Sequence, residues 1–446
     1  ANGELIPGAP AARMAIMTGG PGTGKTTCLE HVVEKVIKLG GGVALAAPTG
    51  KAARRLAQAT GQPAKTLHSL LQGVPGEGFK FCKGERLKVN VVIVDEASMV
   101  DVIMLAALMD AIPDGGRLLL IGDANQLPPV EAGQPFTDII RSTVVPVGRL
   151  IKTYRQAGTS WVVDHATPMI SGKVPPLVTT EKGGFNYVEV RGGGRDDVAR
   201  IAEQIIDEAV KIILAAYKGE GFATGEETVV LTPQKDKGAG AFNINQAAQQ
   251  ERWGARITPA DYDGPVCFLH KGMWCRPGDP VMNLSNMTVY VSDDDPVVKK
   301  REGGPEDDVR EEIYIPNGAQ GVCVEVEDLN HAQFNFDGRL VDLSRDTLDM
   351  TLAYAMSIHK SQGSGWNHVV VIVDPSHQFM LRSGGRQLMY TAVTRTQDQL
   401  TIIGTEAAWE TACRSQMSNL RQTFLAQFNP DYGPTFIRQE KEKKGR

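Results

Sequence analysis

The sequence predicts an α/β protein whose parallel sheets fall in two successive halves. Three observations carry that expectation: apolar runs alternating with helical stretches through the first 150 residues, a second such series after residue 227, and a glycine-rich loop between the first strand and the first helix. The first runs are RMAIMT (13–18), GVALAAP (42–48), VNVVIVD (89–95) and RLLLIGD (117–123). Each is continuously apolar, as strands covered on both faces of a parallel sheet are; a half-exposed strand would alternate. Helices are expected at about 25–39, 50–60 and 99–111, which makes a βαβ series with right-handed crossovers. The second half repeats the pattern with ETVVLTP (227–233), HVVVIVD (368–374), a helix near 384–394 and QLTIIGT (399–405).

Two stretches interrupt the halves. Residues 71–88, LQGVPGEGFKFCKGERLK, are glycine-rich and polar, too few for a domain and enough for a projecting hairpin. Residues 275–348 read as short strands and turns, for instance IPNGAQGVCVEVED and HAQFNFDGRLVDL, and predict a small all-β barrel set into the second half. Within it, 292–312 (SDDDPVVKKREGGPEDDVREE) is densely charged and is expected to be a solvated, flexible loop, and the tail RQEKEKKGR is expected to be disordered.

Composition narrows the class. The 446 residues are 42% hydrophobic and 22% charged, ordinary values for a globular enzyme of several domains. A net charge of −5 advertises no overall basic field, although a basic groove can sit on an acidic body. The six cysteines (28, 82, 267, 275, 323 and 413) form no C-x-x-C pair, so reduced thiols in a cytoplasmic protein are expected rather than a zinc site. No apolar run approaches the roughly 18 residues of a membrane span, and no membrane partner is expected.

The loop carries the chemistry. GGPGTGKT, residues 19–26, fits G-x-x-x-x-G-K-[ST] after a strand and before a helix. Successive N–H groups of such a loop form an anion nest at a helix N-terminus. Lys25 would reach the outer phosphates of a nucleoside triphosphate, and the Thr26 hydroxyl would ligate Mg²⁺. VVIVDEAS (91–98) supplies the matching acids: Asp95 at the strand end to hold the metal, Glu96 to orient or deprotonate the attacking water. A protein that only binds nucleotide needs no Glu96, so hydrolysis is the favoured chemistry. Arg155 in KTYRQ and Arg395 in LMYTAVTRTQD stand in contexts suited to charge stabilisation of phosphoryl transfer.

The words around these residues occur in a fixed order: GGPGTGKT, AAPTGKAARRL (46–56), TLHSLL (66–71), IVDEASM (93–99), GDANQLPPVEAG (122–133), TYRQ (153–156), LTP (231–233), LAYAMSIHKSQGSGW (352–366) and MYTAVTRT (389–396). From about residue 13 to 410 the chain resembles superfamily 1 DNA helicases of the RecD-like branch. The resemblance implies two RecA-like P-loop motor lobes: 1–70 with 89–150, and 151–274 with 349–446. It makes 71–88 a strand-splitting pin and 275–348 an SH3-like β-barrel. It also implies ATP and Mg²⁺ as cofactors, with Gly20, Gly22, Thr23, Gly24, Lys25, Thr26 and Thr27 around the phosphates, Tyr154 on the adenine and Gly363 beside the nucleotide. Gln126 would sense the γ-phosphate, and Arg155 and Arg395 would act as arginine fingers. Single-stranded DNA and its junctions with duplex would be gripped by Pro48, Thr49, Lys51, Thr66 and His68 on one lobe and Thr232, His359 and Ser361 on the other. The implied activity is 5′-to-3′ translocation and unwinding by a monomer.

The chain departs from the family pattern twice. The family places a glutamine ahead of the phosphate loop to touch the adenine, and ANGELIPGAPAAR holds none, so either the chain begins after that segment or base recognition is relaxed. The family word S-Q-G-S-E reads SQGSG here, so Gly365 replaces a glutamate that would accept a ribose hydrogen bond. Two other readings stay open: the same fold acting on RNA, whose phosphates and bases offer the same contacts, and a non-motor P-loop switch.

Overall fold

The structure, a computed structural model, describes residues 13–74, 78–82, 84–153, 160–180, 184–192, 197–254, 257–258, 264, 266–269, 272–292, 294–295 and 311–415. These residues form two compact units, one ending at 153 and the other beginning at 160.

In the first unit the strands are β1 (Met14–Gly19), β2 (Val43–Ala47), β3 (Ala64–Thr66), β4 (Gly73–Val74), β5 (Gly78–Phe79), β6 (Val91–Val94), β7 (Arg117–Gly122) and β8 (Val147–Leu150). Six of them make one parallel sheet in the order β3-β2-β6-β7-β1-β8. Successive side chains of a strand point to opposite faces, and β6 shows why its run is continuously apolar. Val92 and Val94 pack with Leu105, Leu108 and Phe136 from the helices at 102–111 and 135–142. Ile93 packs on the other face with Leu29, Val33 and Leu56 from the helices at 25–38 and 50–60. Within 71–88, β4 and β5 pair antiparallel, Gly73 opposite Phe79.

The second unit has a parallel sheet of its own, made of β9 (Phe185–Glu189), β10 (Thr228–Thr232), β20 (Ala355–Ser357), β21 (Trp366–Val373) and β22 (Thr396–Gly404), in the order β20-β10-β21-β22-β9. The helices at 198–218 and 241–253 cover it, with Ile205, Ala209, Ile244 and Ala248 buried against Val230 and Val370. Between β10 and β20 the chain leaves for an antiparallel excursion. Its strands are β11 (Cys267–Phe268), β12 (Trp274–Cys275), β13 (Pro280–Asn283), β14 (Met287–Tyr290), β15 (Glu312–Ile315), β16 (Gln320–Val326), β17 (His331–Phe336), β18 (Arg339–Ser344) and β19 (Met350–Leu352). The main sheet runs β18-β17-β16-β13-β19, with the ribbons β11–β12 and β14–β15 alongside. The antiparallel strands thus span 267–352, a few residues beyond both expected ends. Most of the charged stretch at 292–312 and the whole of the charged tail lie outside the described residues.

A buried carboxylate ties the excursion to its parent sheet. Asp279 is fully buried and accepts hydrogen bonds from Tyr354 Oη (2.7 Å), Trp253 Nε1 (2.8 Å), the Arg276 N–H (3.1 Å) and Gln249 Nε2. Arg252 stacks over Tyr217 at 3.9 Å and donates to Gly278 O and Tyr354 Oη. Among the described residues no helix is long and apolar enough to cross a membrane.

Candidate functional site

The phosphate loop is built by backbone conformations that only glycine adopts freely. Gly22 and Gly24 have φ of 69° and 82°, and Gly24 caps the helix that begins at Lys25. That helix starts with no side-chain cap and no acid in its first turn, which leaves its N–H groups and dipole open to an anion. Thr23 is buried, and its hydroxyl donates to Gly20 O at 2.8 Å, closing the loop. Lys25 Nζ donates to the carbonyls of Gly19 (2.7 Å) and Gly20 (2.9 Å), so the ammonium lies across the nest. Thr26 and Thr27 are exposed at the helix start, where a hydroxyl can reach a cation.

Sheet register brings the other groups beside this loop. β7 lies between β1 and β6, so the carboxyl ends of all three strands meet at one edge. Asp95 follows β6; burial first, and then the charge of Glu96, raise its carboxyl to about 6, while the Lys25 charge pulls the other way. An added cation would relieve that cost, as a Mg²⁺ held between Asp95 and Thr26 requires. Glu96 has φ of 51°, a left-handed backbone that costs a non-glycine residue about 1–3 kcal/mol and concentrates at functional sites. Past β7, Gln126 is buried, and its Oε1 has no hydrogen-bond partner among the described residues. A buried orphan acceptor beside a nest is a polar group poised for a ligand. These side chains fit a triphosphate with its metal. Tyr154 and Arg155 lie outside the described residues.

The residues expected to grip a strand occupy the adjacent part of the same edge. Pro48 and Thr49 follow β2, and Thr66 ends β3, paired in register with Ala47. The Thr49 and Thr66 hydroxyls cap short helices, accepting from the N–H groups of Ala52 (3.3 Å) and Ser69 (3.1 Å). His68 is exposed, 6.0 Å from the Phe79 ring of the hairpin. The Lys51 ammonium is lowered to about 8 by burial and then by the charge of Arg55.

A family model described as an AAA domain matches residues 9–185, and one described as the UvrD-like helicase C-terminal domain matches 352–403. The RecBCD enzyme subunit RecD of Mycolicibacterium smegmatis is 31% identical over 431 residues, covering 90% of this chain and 70% of that one. The chain belongs to the RecD-like helicase family. The ATP-dependent RecD2 DNA helicase of Deinococcus radiodurans is 32% identical over 405 residues, 91% of this chain but 48% of that protein, so this RecD-like chain spans about half of that relative's length. A Bacteroides Pif1 helicase in complex with ADP-AlF3 and single-stranded DNA shares the fold, with a TM-score of 0.50 and 18% identity over 98% of this chain and 94% of that one.

The second unit of this RecD-like chain places its candidates differently. Thr232 is fully buried, and its hydroxyl donates to Ala239 O at 3.0 Å. Ser361 is also fully buried and donates to Ile358 O at 2.7 Å. In this conformation both hydroxyls serve the backbone of their own loops. His359, half-buried, follows β20, whose Ser357 pairs in register with Thr232. Arg395 lies at the opposite, amino-terminal end of the strands, just ahead of β22. It is 5% exposed and donates to the carbonyls of Thr391 and Ser364, both at 3.2 Å. Gly363 has φ of 73° in the loop that leads back to β21. Sequence reasoning missed Asp123, which is 1% exposed after β7 and accepts from the Asn125 N–H at 3.0 Å to shape the Gln126 loop. It sits in GDANQ, and a carboxylate in mid-turn between apolar strand and polar loop was the available signal.

Proposed function

We propose that this chain is a DNA-stimulated ATP hydrolase that translocates 5′ to 3′ along single-stranded DNA and separates duplex ahead of it, acting as a monomer. The observation that carries the reading is the convergence on one sheet edge of the Lys25 loop, the Asp95–Glu96 pair and the unpartnered Gln126 Oε1. Mg²⁺, when bound by Thr26 and Asp95, would neutralise charge developing on the outer phosphate. Glu96, held in its strained backbone, accepts the proton of the attacking water, while the loop N–H groups and Lys25 fix the phosphate chain. Pro48, Thr49, Lys51, Thr66 and His68 offer a strip of backbone and cationic contacts suited to phosphates of any sequence. For the second unit the reading is carried by His359 and the backbone of the loops that Thr232 and Ser361 brace.

Residues 1–70 with 89–150 and 151–274 with 349–446 are the two motor lobes, 71–88 the pin and 275–348 the SH3-like module. Arg155 and Arg395 supply positive charge to the transition state, and Tyr154 stacks on the base. ATP hydrolysis measured with and without single-stranded DNA or RNA, and duplex unwinding from 5′- or 3′-tailed substrates, test this. DNA should stimulate hydrolysis more than RNA does, Lys25→Ala should abolish it, and only 5′-tailed duplexes should open. Unwinding confined to 3′ tails would refute the polarity, and hydrolysis indifferent to any nucleic acid would refute the motor.

A further inference from the structure

The loop 233–240 leaves β10 at the carboxyl edge of its sheet, and its shape is dictated by a segment far along the chain. Lys235, Asp236 and Lys237 are exposed, whereas Ala239 and Gly240 are buried. The buried end is held by the turn that follows β21. Asp374, fully buried, accepts from the Ala239 N–H, the Ser376 N–H and the Ser376 hydroxyl, each at 2.7 Å. His377, also fully buried, donates from Nε2 to Lys237 O at 2.7 Å. Its Nδ1 has no hydrogen-bond partner among the described residues.

A carboxylate taken fully out of water is tolerated where donors satisfy it, and here the loop itself supplies one of them. The approach is close. Gly238 has φ of 53°, and a Cβ there would fall 2.0 Å from Ser376 Oγ and 2.4 Å from Asp374 Oδ2. The near side of the loop is closed as well: Gln234 O accepts from the Ala241 N–H at 3.1 Å and Lys235 O from the Phe242 N–H at 2.8 Å. A loop that merely carried two lysines through solvent would need no buried acid and imidazole beneath it.

We propose that Asp374 and His377 are positioning residues for the motor: buried beneath the loop after β10, they preset its backbone, so that it meets DNA without first having to order. The proposal rests on the nucleic-acid reading above and adds the turn after β21, to which that reading gives no part. A loop already held in its bound shape avoids the ordering cost of association, so the benefit appears in affinity for DNA and not in turnover.

The test separates affinity from turnover: hydrolysis by the full chain is titrated with oligothymidylate at saturating ATP. Asp374→Asn leaves one oxygen for three donors, and His377→Ala removes the donor to Lys237 O. Each should raise the oligothymidylate concentration for half-maximal stimulation by about threefold to tenfold, the worth of one hydrogen bond, with kcat at saturation within about twofold of wild type. His377→Gln, whose amide nitrogen can take the place of the ring's Nε2, should restore the wild-type midpoint. Should the variants fail to fold, amide exchange on the wild-type chain decides, read residue by residue by fragmentation in the mass spectrometer. The Ala239 amide should exchange slowly without DNA and hardly more slowly with it. An unmoved midpoint in both variants, affinity and kcat lost together, or an Ala239 amide that exchanges freely until DNA binds would overturn this proposal and leave the motor reading standing. A wild-type chain that oligothymidylate does not stimulate would overturn both.

Discussion

Asp95 is held at a cost. Its carboxyl is raised from the usual carboxylate range to about 6, chiefly by burial, so the folded protein binds that proton more tightly than the unfolded chain does. Stability from this group is therefore full below about pH 4 and falls as pH rises to about 6, by at most about 3 kcal/mol without a metal. Asp95→Asn should melt several degrees above wild type at pH 7 in nucleotide-free buffer, with the gap closing near pH 4, while hydrolysis is lost. Thermal melts across pH check this, and an unchanged gap would show that the burial is not destabilising. Lys51 runs the other way. Its ammonium, lowered to about 8, loses charge as pH rises through that value, so single-strand affinity should fall above pH 8 and binding should take up protons there. Lys51→Arg should remove that slope, and Lys51→Gln should lower the salt dependence of binding by about 1 unit.

Among elements, the joint at Asp279 makes the sharpest claim. Four donors converge on one buried carboxylate, and removing it takes the acceptor from Trp253 Nε1 and the Tyr354 hydroxyl and leaves Gln249 Nε2 only its bond to Trp274 O. Asp279→Ala should cost about 3 kcal/mol. Amide exchange read by mass spectrometry should accelerate across 267–352, while β1, β6 and β7 stay protected; uniform acceleration would deny the joint its local role. The elements also differ in how plainly they are written. β6 is apolar on every residue and β21 from Val369 to Val373, and both could be read at once, as could the glycine loop ahead of the helix at Lys25. The edge strands β3 (AKT) and β8 (VGRL) are short and partly polar, and only pairing with a neighbour makes them strands. The helix at 198–218 went unread although Ile201, Ile205, Ala209 and Ile213 mark its buried stripe. Thr232 and Ser361 belong to motifs whose words were legible, but the direction of their hydroxyls is decided by loop packing that spacing does not encode.

For the molecule as a whole, hydrolysis should depend on residues far apart in the chain. Arg395 is bound to Thr391 and Ser364 within its own unit, and these two bonds must exchange for phosphate contacts if it is to act as a finger. Arg395→Ala should leave ATP affinity within about threefold yet lower the DNA-stimulated kcat by about 10³-fold or more, the range seen for arginine fingers. Single-turnover kinetics separate the two effects, and an equal loss in affinity would assign Arg395 to ground-state binding instead.

The antiparallel excursion departs after β10 and returns at β20, and these two strands are immediate neighbours, with Val230 beside Ala355 and Leu231 beside Met356. The two strands run parallel, so the chain must cross over between them; the helix at 241–253 makes that crossing before the antiparallel strands begin at 267, and its Asn245 Nδ2 donates to Leu352 O and Ala355 O, where the chain comes back. A foreign cassette put in place of the antiparallel strands has to keep that helix and the Asn245 amide, because together they fix where the chain rejoins the parallel sheet. With that crossing kept, new reach could be grafted onto the second unit while the order of its parallel strands stays untouched.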